Sequence, residues 1–257
     1  MDTISPAIQK SGHRTILIAG SKTNSQLSLT ILLQRFKYNV SIASTAPEAF
    51  ESAIALRPAL IITDLVMQGA SGMDFLQKLR NDKRTASIPV LFTVSASDAS
   101  AERRCMDYGA TGCISKPIQA EELYRTVQAV VERRPRENIR IALKMPVSVD
   151  NVPLAASEEV CEVGLSEYGM YLPTGSPSLK NKRINVEMHI DDRTISAEGT
   201  VLYAIAAGSK PGHEPGMGIK FATISPQDQA FIRKFIHDEV THEVLAALAR
   251  DDQSFGS

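Results

Sequence analysis

Two groups of residues in this chain have the types and spacing to do chemistry. Asp64, Ser95 and Lys116 each close a short apolar run, in ALIITDL, PVLFTVS and GCISK. A carboxylate, a hydroxyl and an ammonium brought together would accept and hold a phosphoryl group: the carboxylate attacks as nucleophile, and the other two bind the phosphoryl oxygens. Taken singly, each is more often a surface or capping residue. The second group lies in RRPRENIRIALKMPVSV, from Arg133 to Val149, where Arg136 and Arg140 stand four apart just before a β-like segment. Guanidinium is planar, permanently charged and offers paired donors, so it suits phosphate oxygens and the acceptor edge of guanine, and it stacks on a base. Two arginines at this spacing are also common in solvated linkers, so the rest of the chain has to decide.

The elements that would position the first group read clearly. After a polar leader over residues 1–13, the runs TILIAG, NVSIAS, ALIITDL, PVLFTV and GCIS alternate with helical patterns, such as Leu29, Leu32, Leu33 and Phe36 at i, i+3, i+4 and i+7. Five βα units over residues 14–132 predict a flavodoxin-like doubly wound parallel sheet, an α/β fold whose ligands sit at the carboxyl ends of the strands. Asp64, Ser95 and Lys116 fall at those ends. Residues 133–257 read differently. Here IRIALKMPVSV, EEVCEV, GMYLP, RINVEMHI, ISAEGTVLYAIAA and GMGIKFATI alternate apolar with polar residues between turn-formers such as Asp150-Asn151, which predicts a small antiparallel β-barrel or sandwich behind an arginine linker at 133–140. A C-terminal helix follows over 225–250, with Ser225 as N-cap and Pro226 at the first helical position. Its stripe of Ile232, Ile236, Val240, Val244 and Leu248 is longer than one small barrel needs, and the far end is free to meet the first domain or a second copy of the chain.

Composition excludes several classes. The chain has 257 residues, 43% hydrophobic and 22% charged, with a net charge of −1, which points away from a general binder of nucleic acid or membrane surfaces. Cys105, Cys113 and Cys161 are scattered and form no CxxC pair, so neither a disulfide framework nor a zinc site is implied. The five histidines, at 13, 189, 213, 237 and 242, have no metal-ligand spacing. Neither GxSxG nor a Walker-type loop occurs, so no enzyme is expected, and the second half has no basic helix of the helix-turn-helix kind. With no apolar leader and no run long enough to span a bilayer, the expected compartment is the cytoplasm.

With DLVM, the Ser71-Gly72 pair opening a helix, IPV and the Lys116-Pro117 dipeptide, residues 14–132 closely resemble the response-regulator receiver domain. The resemblance implies two-component phosphorelay signalling, with Asp64 as phosphoacceptor and Ser95 and Lys116 as its switch residues. Departures accompany it. Receivers carry an acidic pair after the first strand to hold Mg²⁺, and this chain has Gly20 and Ser21 there, so only Asp64 remains as a carboxylate ligand and Mg²⁺ is not expected. Gln68 replaces a usual proline and Cys113 a usual aromatic. The fourth strand is one residue long before Ser95, so Thr93 is the alternative hydroxyl. Lys22 follows the missing acidic pair; either it joins Lys116 in neutralising Asp64 without metal, or it points into water.

The second half resembles the PilZ domain, the cyclic di-GMP receptor family, on Arg136-x-x-x-Arg140, GLSEYGMYL, GTVLYAI, GMGIKF and SPQDQAFIRKFI. The resemblance implies that Arg136 and Arg140 clamp the phosphates and stack on the guanines, while Ser166 and Gly169 supply a hydroxyl and a close backbone approach. The family places Asp or Asn two residues before the serine, and here Gly164 stands in that place. An acceptor lost there costs about 1 to 3 kcal/mol, with Glu162 and Glu167 as the nearby substitutes. The expected function is a bacterial receiver–PilZ signalling protein that binds cyclic di-GMP and relays the signal through protein partners. The alternative is an interaction adaptor in which both domains have lost their ligands.

Overall fold

The computed structural model describes residues 14–21, 23–98, 100–133, 135–136, 138–154, 161–209 and 214–254. The leader and Lys22 lie outside the described residues. Those described fall into two compact units, one of residues 14–139 with 237–254 and one of residues 140–236.

The first unit runs β1 (Thr15–Ala19), α1 (Asn24–Arg35), β2 (Asn39–Ala43), α2 (Ala46–Leu56), β3 (Leu60–Asp64), the two-residue strands β4 (Val66–Met67) and β5 (Ala70–Ser71), α3 (Gly72–Asn81), β6 (Val90–Ser95), α4 (Ala101–Asp107), β7 (Gly112–Lys116) and α5 (Ala120–Val131). Five strands form a parallel sheet in the order β2-β1-β3-β6-β7, the flavodoxin-like arrangement. In β1, β3 and β6 nearly every residue is buried, because helices cover both faces of a parallel sheet and leave no solvent side to alternate with. Local chemistry starts the helices: the Thr23, Thr45 and Ser71 side chains accept from the backbone N–H groups of Gln26, Glu48 and Met73. Gly72 has no alternative, since a Cβ there would stand 2.1 Å from the Asp64 carbonyl oxygen. The Ser71-Gly72 pair thus lets α3 begin directly against the end of β3.

The second unit holds β8 (Ile141–Met145), β9 (Val147–Val149), β10 (Val152–Pro153), β11 (Cys161–Ser166), β12 (Gly169–Pro173), β13 (Arg183–Ile190), β14 (Arg193–Ile205) and β15 (Gly216–Ile224), followed by α6 (Pro226–Ser254). The antiparallel sheet has the order β10-β9-β13-β14-β15-β12-β11-β8. β8 and β9 are consecutive, broken only at Pro146, yet one pairs with β11 and the other with β13 at the far side, so the sheet closes on itself. β13 alternates exposed and buried along its whole length, with Ile184, Val186, Met188 and Ile190 inward. Asp150 and Asn151 turn β9 into β10 with φ of 50° and 64°, the left-handed pair that a two-residue hairpin requires. Ser225 caps α6, accepting from the Asp228 N–H at 3.0 Å, and Arg193 reaches Asp228 at 2.6 Å while lying over the Phe231 ring.

Two boundaries differ from the sequence reading. Residues 133, 135–136 and 138–139, assigned with the arginine linker to the second half, group with the first unit. So does α6 from His237 onward. The cause is the long apolar stripe: Ile232 and Ile236 are buried in the barrel unit, and Val240 is buried in the other, where His237 Nδ1 stands 3.0 Å from Glu121 Oε1 and Arg35 reaches Glu239 at 3.2 Å. Beyond it Val244 is half-buried, Leu245 is exposed, and the Leu248 side chain lies outside the described residues.

Candidate functional site

Asp64 closes β3 and is in register with Thr93 of the neighbouring strand. Its Oδ1 accepts from Lys116 Nζ at 2.6 Å and from the Thr93 hydroxyl. Ser95, the expected hydroxyl, is not brought to the carboxylate. It is exposed, and its Oγ pairs with Ser97 Oγ at 2.8 Å. The reason is strand length: β6 has six residues where β1, β2, β3 and β7 have five, so Ser95 shares the face of Thr93 but lies two residues, roughly 6.5 Å, further along. Thr93, the alternative hydroxyl, is the one in place.

Around the carboxylate, Ala19, Gly20, Gln26, Thr63, Thr93, Lys116 and others enclose a cavity of about 10 Å³, room for about one water. Gly20 faces Asp64, and a Cβ there would lie 3.2 Å from Oδ2. Gln26 Nε2 donates to the Gly20 carbonyl at 3.2 Å and fixes this loop. Mg²⁺ takes an octahedron of oxygens that usually includes one or two carboxylates, and Asp64 is the one carboxylate among the residues lining this pocket. One oxygen of that carboxylate already holds an ammonium and a hydroxyl. Cys113 of β7 packs on the core cluster that includes Cys105 of α4, and burial pushes its thiol up to about 12.

Residues 16–128 match the response regulator receiver domain model. Residues 16–128 are a response-regulator receiver domain. The similar proteins include response regulator ArlR of Staphylococcus haemolyticus, 26% identical over 155 residues that cover 60% of this chain and 69% of that protein. ArlR of Staphylococcus aureus is 29% identical over 124 residues, 48% of this chain and 55% of its own length. Among solved structures, a response regulator from Desulfuromonas acetoxidans is 28% identical with a TM-score of 0.43, covering 46% of this chain and 97% of that one. Chemotaxis response regulator CheY4 of Vibrio cholerae is 25% identical with a TM-score of 0.43, covering 46% and 98%. The receiver domain serves signal transduction, and among the described residues no helix is long and apolar enough to cross a membrane.

The arginine group divides between the units. Arg136 is exposed, and its backbone N–H donates to Gln128 Oε1 at 3.0 Å; Gln128 Nε2 in turn donates to Tyr38 Oη at 2.9 Å. Nothing in the sequence marked Gln128 for this, because the contact joins α5 to a segment without regular structure. Arg140, half-buried, enters β8 opposite Ser166 by extension of the β8–β11 register. A Cβ on Gly164 would stand 3.3 Å from Arg140 Cδ, so the arginine stem lies on the glycine. Ser166 is 8% exposed, and its hydroxyl donates to the Gly169 carbonyl at 2.8 Å across the β11–β12 turn. That proton is committed to the hairpin, which leaves only acceptor lone pairs for a ligand. Gly169 cannot carry a side chain, since its Cβ would stand 2.2 Å from the Ile219 carbonyl oxygen. Of the two substitute carboxylates, Glu167 is buried and bound to Arg233 at 2.5 Å, whereas Glu162 is exposed on the Gly164 face of β11.

Proposed function

We propose that this protein is a bacterial receiver–PilZ signalling protein that binds cyclic di-GMP through its second half and relays the signal by protein contacts in the cytoplasm, without catalysis of its own. The observation that carries the reading is Arg140 at the mouth of a closed antiparallel barrel, laid over Gly164 next to the hairpin that Ser166 and Gly169 close. A cyclic dinucleotide presents two phosphates and two purine faces, which suit guanidinium groups that both pair and stack. Arg136, exposed and with its backbone N–H bound to Gln128, is the second guanidinium on this reading.

On the receiver side, Asp64 is the candidate phosphoacceptor, with Thr93 and Lys116 as the groups that would hold phosphoryl oxygens. A second reading has a specific observation in its favour: Asp64 is already engaged by Lys116 and Thr93 in a pocket without a second carboxylate, as a receiver fixed in one state would be. The protein would then be an adaptor whose surfaces, not ligands, carry the signal. Calorimetric titration of cyclic di-GMP into the full-length protein, beside Arg140→Ala and Arg136→Ala, separates the two. Micromolar or tighter binding lost in both variants supports a nucleotide effector, and no heat from the wild type leaves the adaptor.

A further inference from the structure

One row of paired residues crosses the outside of the barrel, from Ala142 through Gly164, Tyr171 and Gly218 to Tyr203, on β8, β11, β12, β15 and β14. From Gly164 onward glycines and tyrosines alternate along it, and the two rings lie down on the glycines of β15. A Cβ on Gly218 would stand 2.3 Å from Tyr203 Cε1, and one on Gly216 would stand 2.6 Å from Tyr171 Oη. Any side chain at either place would lift a ring off the sheet. The rings are near-parallel, 24° apart with centroids at 6.3 Å, and Tyr171 Oη donates to the Glu214 carbonyl at 2.5 Å, which holds its ring down. Tyr203 owes its position to a bulge: the register shifts between Val201 and Tyr203, so Val201 stays in the core and both Leu202 and Tyr203 face out.

Shielding the β15 backbone explains why aromatic rings cover these glycines. It leaves Tyr203 40% exposed, with a flat ring toward solvent. At the other end of the row Gly164 has the Arg140 stem on one side and Tyr171 Cβ 3.5 Å from its own Cβ position on the other. Lys220, exposed and two residues beyond Gly218, adds an ammonium on the same face.

We propose that Tyr171 and Tyr203 form a stacking platform for one purine base of the nucleotide whose phosphate Arg140 takes. The inference rests on the nucleotide reading above and deepens it by naming where a base lies. Glycine floors keep the rings flat, the hydrogen bond to Glu214 pre-orders one of them, and a π-face accepts either purine. Gly164 continues the same row under the Arg140 stem.

The test is cyclic di-GMP titrated into the full-length protein and its Tyr203→Leu, Tyr203→Phe and Arg140→Ala variants, with the guanine H8 resonance followed alongside affinity. Tyr203→Leu should weaken binding by about tenfold and abolish the upfield ring-current shift of H8, while Tyr203→Phe retains both. Binding that needs Arg140 but is unchanged in affinity and H8 shift by Tyr203→Leu overturns the platform and leaves the nucleotide reading standing. No binding by the wild type overturns both. If Tyr203→Leu fails to fold, nuclear Overhauser contacts between guanine H8 and tyrosine ring protons in the wild type decide, since their absence in the complex overturns the platform.

Discussion

The stem of Arg140 rests on Gly164, whose Cβ, were there one, would stand 3.3 Å from Arg140 Cδ. The glycine is therefore both a missing ligand and a seat for an arginine. A Cβ there would press on the middle of a flexible side chain and not on backbone, and asks that side chain to give by a few tenths of an ångström.

Gly164→Asp should tighten cyclic di-GMP binding by roughly tenfold, because an acceptor for the guanine donor edge is worth about 1 kcal/mol or more once desolvated. Calorimetry on the variant reads this directly. Weaker binding would mean that the room over Gly164 matters more than the acceptor.

Gly169→Ala should destabilise the second unit by about 2 kcal/mol or more whether or not nucleotide is present, since its Cβ would strike the Ile219 carbonyl across β12 and β15. Urea midpoints measured without ligand check it. An unchanged midpoint with weakened nucleotide binding would make Gly169 a ligand contact instead of a packing requirement.

Millimolar Mg²⁺ should leave the thermal midpoint of the wild type unchanged, because an ion that does not bind cannot stabilise. The double variant Gly20→Asp, Ser21→Asp should be less stable without metal, from repulsion against Asp64 3.2 Å from the new Cβ, and should gain stability on adding Mg²⁺. A Mg²⁺-dependent shift in the wild type would show that the single carboxylate suffices.

Tyr38 should contribute to the alkaline loss of stability above about pH 10. Burial, then the Glu132 charge, push its phenol above the ordinary value. A folded-state pKa above the unfolded one means that this contribution is fully present below about pH 10 and is lost as pH rises beyond it. Denaturant midpoints should fall with pH in that window, and Tyr38→Phe should flatten the slope while lowering the neutral-pH midpoint through loss of the Gln128 hydrogen bond. An identical slope in both proteins would assign the alkaline transition to other groups.

What could be read from the sequence was set by short-range chemistry. Continuous apolar runs, period-2 alternation, the Asp150-Asn151 turn, the Ser225 cap and the order of the two halves all follow from backbone geometry and side-chain type within a few residues, and the elements formed where these patterns placed them. So did Asp64 and Lys116, because parallel strands must end where their apolar runs end. Tertiary structure decided the rest. That Thr93 and not Ser95 meets Asp64 depends on how far β6 runs relative to β3, a register between strands 29 residues apart in the chain. The commitment of the Ser166 proton to Gly169, the seat of Arg140 on Gly164 and the two tyrosines lying on β15 depend on which strands become neighbours and on a bulge that turns Tyr203 outward. Cross-strand register is fixed by closing the whole sheet, so no local pattern carries it.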